Sequence, residues 1–230
     1  MWRGASKAAT EAADFSKPLA DRLLEITANV RQLVPADRLE APQRAITELQ
    51  REEPERRMLH AGDAAPVFVA PDTRGTPLSS ADLLARGPLI VNFFRGRWCP
   101  YCIAELEAWQ HYLPQVAAAG AQLVGISPQT VRHNDFTAQQ HRLTFPLLSD
   151  TGNAVAGRFG VAWQLPDYLV QHYQRIFVNL QNLNGDSAAE LPLPATFVIA
   201  QNGSIVFAEA YADFRLRPEP RHALTALQSC

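Results

Sequence analysis

Cys99 and Cys102 stand three positions apart in FFRGRWCPYCIAEL, residues 93–106. Two thiols at that spacing form a redox unit: one sulfur is oxidised or attacks a disulfide, and the other closes a short disulfide onto it. Peroxide reduction and thiol–disulfide exchange both need this arrangement. The alternative is a pair of ordinary buried cysteines, but a C-x-x-C beside a strand–helix pattern is a recognised redox signal. The apolar run Leu89 to Phe94 predicts a buried strand, and a helix begins at Pro100, so Cys99 falls at the junction and Cys102 in the first turn. Unpaired N–H groups and the positive end of the helix dipole favour a thiolate there. Such settings lower a cysteine pKa from about 8.5 to roughly 3.5–7.5. Arg95 and Arg97 either add positive charge to the site or serve surface solubility.

Other chemistries find less support. Zinc would need two further ligands, yet there is no second C-x-x-C, and His60, His111, His133, His141, His172 and His222 lack ligand spacing. A Cys-His protease would need a local signature that is absent. Trp98 shields the thiolates or fills the core, whereas Trp109 and Trp163 are expected in the core. Cys230 is either a resolving thiol for a partner subunit or a plain terminal residue.

The elements that must hold the pair follow from periodicity. Leu19, Leu23, Ile26, Val30 and Leu33 mark one face of a helix from near Pro18, and a second short helix is expected from Pro42 with Ile46 and Leu49. Residues 1–60 form a helical extension whose apolar stripe must be covered by the main domain or by a partner chain. From residue 61 strand and helix signals alternate: a strand at Val67–Val69, a helix capped by Ser79 or Ser80, the strand at Leu89, the helix from Pro100, a strand at Ala121–Ile126 and a helix over 129–141. TFPLLSD predicts an extended segment, followed by a small helix ended by Gly160 and a helix from Asp167 through Leu180. The strands ATFVIA and IVFAEAY flank Asn202-Gly203, a strong hairpin signal, and a last helix starts near Pro218. This order predicts a mainly parallel sheet covered by helices, with an antiparallel hairpin at its edge.

Composition sets the limits. With 47% hydrophobic and 19% charged residues and a formal net charge of -2, the chain is an ordinary globular protein without the basic footprint of a nucleic-acid binder. The first residues lack a signal-peptide core and soon carry Glu11 and Asp14, and PLIVNFF is too short to span a bilayer. A cytoplasmic location and no membrane partner are expected.

At these motifs the chain resembles the thioredoxin-like superfamily, and within it the alkyl hydroperoxide reductase/thiol-specific antioxidant (peroxiredoxin-like) family. The likeness covers about residues 61–228 and rests on GDAAPVF, FFRGRWCPYCIAEL, LVGISPQT, FPLLSDTGNAVAGRFGV and LPATFVIAQNGSIVF. It implies a three-layer α/β fold, a central mixed sheet with helices on both faces, in a domain spanning 61–230. In the register of P-x-x-x-T-x-x-C, Cys102 takes the peroxidatic position and Glu105 the acidic one, while Cys99 and Arg95 occupy the threonine and proline positions. The arginine that often precedes the late strand is replaced by Leu193 and Pro194, leaving Arg95 or Arg97 to supply its charge. In the thioredoxin and glutaredoxin register, WCPYC, with Pro100 inside the motif, makes Cys99 the exposed nucleophile and Cys102 the resolving thiol. Pro194 then matches the cis-proline that faces the dithiol.

The resemblance implies a thiol peroxidase acting on hydrogen peroxide or alkyl hydroperoxides through a sulfenic acid on Cys102 and a Cys99–Cys102 disulfide, recycled by thioredoxin or glutaredoxin. It implies no organic cofactor or metal, and a homodimer is expected. A general thiol–disulfide oxidoreductase with Cys99 as nucleophile is the second reading. A redox-responsive binding module, switched through the helical extension, is the third.

Overall fold

The computed structural model describes Phe15 and residues 17–230; the expectation built on Glu11 and Asp14 lies outside them. Two helices come first, α1 (Leu19–Leu33) and α2 (Asp37–Arg51). A small antiparallel pair, β1 (Val69–Pro71) and β2 (Pro77–Ser79), leads into α3 (Ser80–Leu84), whose Ser79 cap accepts the Ala81 N–H. The core elements follow: β3 (Leu89–Phe93), α4 (Pro100–Ala118), β4 (Gln122–Ser127), α5 (Val131–Gln140), β5 (Leu147–Ser149) and α6 (Ala154–Arg158). An insertion holds β6 (Ala162–Gln164), α7 (Asp167–Arg175), α8 (Leu180–Asn184) and β7 (Glu190–Pro192), before β8 (Ala195–Ile199), β9 (Ile205–Ala210) and α9 (Pro220–Ala226).

The central sheet has the order β5-β4-β3-β8-β9, with β3, β4 and β5 parallel and β8 and β9 antiparallel to their neighbours. β3 is buried throughout, and its alternation sends Leu89, Val91 and Phe93 to one core with Phe68, Leu83, Val155 and Phe159. Ile90 joins the other core, beneath α1, α4 and α9. The expected thioredoxin-like layering, a mixed sheet between two helical layers with a helical extension, is what forms. Among the described residues no helix is long and apolar enough to cross a membrane.

Several local expectations differ. The apolar stripe of α1 is covered by its own chain: Leu19, Leu23, Ile26 and Val30 are buried in the core shared with α4, and only Leu33 stays half exposed. The second helix starts at Asp37, not Pro42. Its first turn is made by Arg38 N–H to Pro35 O and Leu39 N–H to Ala36 O, so Pro42 falls just after it and removes one donor from the second turn. The first strand is displaced to Val69–Pro71, the residues that pair with β2 from Val69 opposite Ser79 to Pro71 opposite Pro77.

The helix expected from Asp167 through Leu180 is two helices. Phe177 adopts a left-handed φ of 63°, and Asn179 caps a new helix by accepting the Asn182 N–H at 2.9 Å. The β6–β7 ribbon was absent from the sequence reading, since three residues per strand give no usable alternation. Finally, no cis peptide bond occurs among the described residues, so the Leu193–Pro194 bond is trans and the cis expectation fails. The trans form is intrinsically favoured by about 0.5–1 kcal/mol. Here it lets the Pro194 carbonyl accept the Tyr211 N–H at 3.2 Å, extending the β8–β9 ladder.

Candidate active site

Gly96 starts the turn that presents the cysteines. Its φ of 146° and the 2.8 Å between a hypothetical Cβ and the Trp98 indole nitrogen exclude a side chain there. The Cys99 N–H closes the turn on Gly96 O at 3.1 Å. Cys99 is then the N-cap of α4, and Pro100 takes the first helical position, where its missing N–H costs nothing. Cys102 and Glu105 follow on one helical face, three positions apart. All three are buried, and both cysteines are free thiols.

Two guanidinium groups close on the sulfurs. Arg95 points Nη1 at Cys99 Sγ, 3.9 Å away, its backbone N–H lies 3.4 Å from Cys102 Sγ, and its Nη2 donates to the Tyr173 hydroxyl. Arg217, in the segment between β9 and α9, places Nη2 at 3.2 Å from Cys102 Sγ and 4.0 Å from Cys99 Sγ. Its Nε donates to Glu105 Oε2 at 2.7 Å, and its Nη1 donates to the carbonyls of Phe214 and Leu216. Asn92, on the face of β3 under α4, donates to Glu105 Oε1 at 2.8 Å and to Thr196 Oγ1 at 3.3 Å. The guanidinium of Arg95 also lies over the rings of Phe214, at 4.1 Å, and Trp98, at 4.8 Å.

These neighbours split the acidity of the pair. Burial pushes Cys99 up, but a hydrogen bond from Cys102 and the charges of Arg95 and Arg217 overcome it, bringing the pKa down to about 5. Burial and the bond to Cys99 push Cys102 well above its ordinary value. The two sulfurs therefore titrate as a pair that shares one proton, with Cys99 the more acidic of the two. Burial raises Glu105 to about 8 against the pull of Arg217. Arg217 is opposed by its own burial, yet Cys102, Glu105 and Cys99 more than offset this and raise its pKa.

Of the two paired cysteines, Cys99 lines a cavity and Cys102 does not. Cys99 forms part of the wall of a cavity of about 300 Å³, together with Arg95, Trp98, Pro100, Tyr101 and Tyr173, whereas Cys102 lies behind it. The Trp98 and Tyr173 rings lie 4.9 Å apart, tilted by 59°, beside the pair. Tyr101 reaches back to α1, where its hydroxyl is 3.2 Å from Thr27 Oγ1.

Of the residues singled out from sequence, Cys99, Cys102, Arg95, Trp98, Pro100 and Glu105 converge here. Arg97 turns toward α5: its N–H donates to Gln129 Oε1 at 2.9 Å and its guanidinium lies 3.9 Å over Phe136. Pro194 immediately precedes β8, in the trans form. Trp109 is fully buried, Trp163 only partly, and Cys230 is exposed. Sequence reasoning missed Arg217, Tyr173 and Asn92. The arginine expected just before β8 is instead supplied after β9, by the short basic segment FRLRP, which carries no motif of its own.

Comparison with known proteins places the chain among peroxiredoxin-type proteins. A Mycobacterium tuberculosis protein provisionally named a peroxiredoxin is 35% identical over 103 residues, covering 45% of this chain and 67% of the relative. Peroxiredoxin Q of Sedum lineare is 32% identical over 100 residues, 44% of this chain and 53% of the relative. Among solved structures, the peroxidoxin BcpB of M. tuberculosis superposes with a TM-score of 0.59 at 26% identity, covering 74% of this chain and 97% of that one. The AhpC/TSA family profile matches residues 61–208, from the turn before β1 into β9, and on this match the chain belongs to the AhpC/TSA family of peroxiredoxin-type thiol oxidoreductases.

Proposed function

We propose that the protein is an antioxidant thiol peroxidase that reduces hydroperoxides through the Cys99–Cys102 pair, with Cys99 attacking first. The observation that carries this reading is the position of Cys99: on the cavity wall, 3.9 Å and 4.0 Å from the guanidinium nitrogens of Arg95 and Arg217, with Cys102 at its back. The thiolate attacks one peroxide oxygen, an S–O bond forms as the O–O bond breaks, and the departing alkoxide or hydroxide takes a proton. Arg95 and Arg217 offset the charge that develops there. Cys102 then displaces water from the sulfenic acid to form the disulfide, which an external dithiol of the thioredoxin or glutaredoxin type reduces with two electrons.

The order of the sulfurs is the reverse of the one that the peroxiredoxin register implies, and single variants separate the two. In Cys102→Ser protein exposed to hydrogen peroxide, a sulfenic-acid trap read by peptide mass should label Cys99 rapidly, and Cys99→Ser protein should react at least tenfold more slowly. Fast labelling of Cys102 in Cys99→Ser protein would restore the peroxiredoxin order. Reaction of both sulfurs at the rate of an ordinary free thiol would leave the second reading, a general thiol–disulfide oxidoreductase. That reading is favoured by Cys99 capping α4 within WCPYC, and its test is formation of a mixed disulfide at Cys99 with oxidised glutathione.

A further inference from the structure

The segment that carries Arg217 lies after residue 208 and the helical extension before residue 61, so both fall outside the family match, and they are bound to each other. Residues 211–219 form no helix or strand, only a turn closed by the Leu216 N–H on Asp213 O at 2.9 Å. Its backbone groups therefore need partners from elsewhere. The extension meets it at three points. Near its start the Ala212 N–H donates to Glu55 Oε1 at 2.7 Å, in the turn Pro54–Arg56 that follows α2. Midway, Arg215 Nη1 donates to Gln43 Oε1 at 3.0 Å, while its Nε and Nη2 donate to Asp213. At its end the Glu219 carboxylate accepts the Leu19 and Ala20 N–H groups, at 3.2 Å and 2.7 Å. These are donors that a helix start leaves unpaired, and a negative charge is favoured there. Between these ties Arg217 Nη1 donates to the carbonyls of Phe214 and Leu216, so the path of this backbone sets where the guanidinium stands.

We propose that Glu55 and Glu219 are positioning residues for the chemistry of the cysteine pair: acting through the backbone of residues 211–219, they hold the Arg217 guanidinium against the two sulfurs. The helical extension thereby completes a site to which it contributes no reacting group. Glu55 fixes the entry of the segment and Glu219 its exit, and Arg217 is delivered between them. Peroxide reduction and disulfide exchange both start from a thiolate, so the role is the same in either reaction.

The test is the pH dependence of iodoacetamide alkylation of the reduced protein, read at Cys99 by peptide mass so that Cys230 does not contribute. In Glu55→Ala/Glu219→Ala protein the midpoint should rise from about 5 by about one unit, the effect of moving one cation away from an acid. Glu55→Gln keeps an acceptor oxygen for the Ala212 N–H and should stay at the wild-type midpoint. In an Arg217→Lys background the two alanines should shift the midpoint no further, because the group they position is already gone. Leu23→Ala separates positioning from stability: it loosens α1 without cutting either tie, and should lower the urea midpoint while leaving the alkylation midpoint in place. If the double variant does not fold, Glu55→Ala and Glu219→Ala are measured singly, and each should move the midpoint upward. An unchanged midpoint in the folded alanine variants overturns the inference. So does a shift that persists in the Arg217→Lys background, or an equal shift in Leu23→Ala. Alkylation needs no peroxide, so each of these outcomes is separate from the success or failure of the proposed function.

Discussion

Arg217 brings its Nη2 to 3.2 Å from the Cys102 sulfur across 115 positions of chain, and the same side chain holds Glu105 at 2.7 Å. The charge that favours a thiolate in this site is therefore held in place by a buried hydrogen bond to Glu105 behind the sulfurs. A planar guanidinium can serve a carboxylate, two carbonyls and a sulfur at once, which an ammonium cannot.

Arg217→Lys should accordingly raise the Cys99 pKa from about 5 by at least one unit. The pH dependence of iodoacetamide alkylation of the reduced protein measures this directly. A midpoint that stays at about 5 would show that Arg217 does not sustain the thiolate.

Stability should follow the same proton. Cys99 titrates at about 5 in the folded protein against an ordinary value of 9.0, so between these limits the unfolded state binds the extra proton and folding is favoured as pH rises. The contribution is complete above pH 9 and lost as pH falls through 5. Reduced wild-type protein minus Cys99→Ser/Cys102→Ser protein, compared by urea unfolding, should gain on the order of 2–5 kcal/mol from pH 5 to pH 9. Since Glu105 is present in both proteins, its opposite tendency cancels to first order. A flat difference would contradict the assignment of the thiolate to Cys99.

Tyr173→Phe removes the acceptor of the Arg95 Nη2 bond while keeping the ring against Trp98. A buried donor left without its partner costs about 1–3 kcal/mol. Urea melts should register that loss; an unchanged midpoint would mean that the guanidinium finds another partner.

The helical extension should be an integral part of the fold. Leu23→Ala, at a buried α1 position, should cost about 2–5 kcal/mol, whereas Leu33→Ala, 53% exposed, should stay within about 0.5 kcal/mol. Comparable small effects at both positions would mean that α1 is only loosely docked.

The site was legible in sequence where it is local. C-x-x-C at the end of a buried strand, Pro100 at the helix start and Glu105 one turn on are all written within 13 residues of Asn92. Arg217 was not legible, because nothing in FRLRP distinguishes it from Arg215, which pairs with its own neighbour Asp213 at 2.7 Å. Tyr173 falls on the apolar side of a helical period in the sequence, and its hydroxyl gains meaning only when the insertion folds back on Arg95. The same residues explain the misplaced helix end: Leu169, Tyr173, Ile176 and Leu180 keep a helical period straight across Phe177, so only the turn itself reveals the break. Long, periodic elements such as α1 and α4 survived this test; three-residue strands did not.

The distance in chain between Cys102 and Arg217 also has a meaning in time. At about 5–20 residues per second of synthesis, on the order of ten seconds separate the making of the sulfurs from the making of the guanidinium. Until Arg217 arrives, Cys99 lacks one of the two positive charges that lower its pKa. The dithiol of the growing polypeptide is thus without that charge until the segment after β9 has been made.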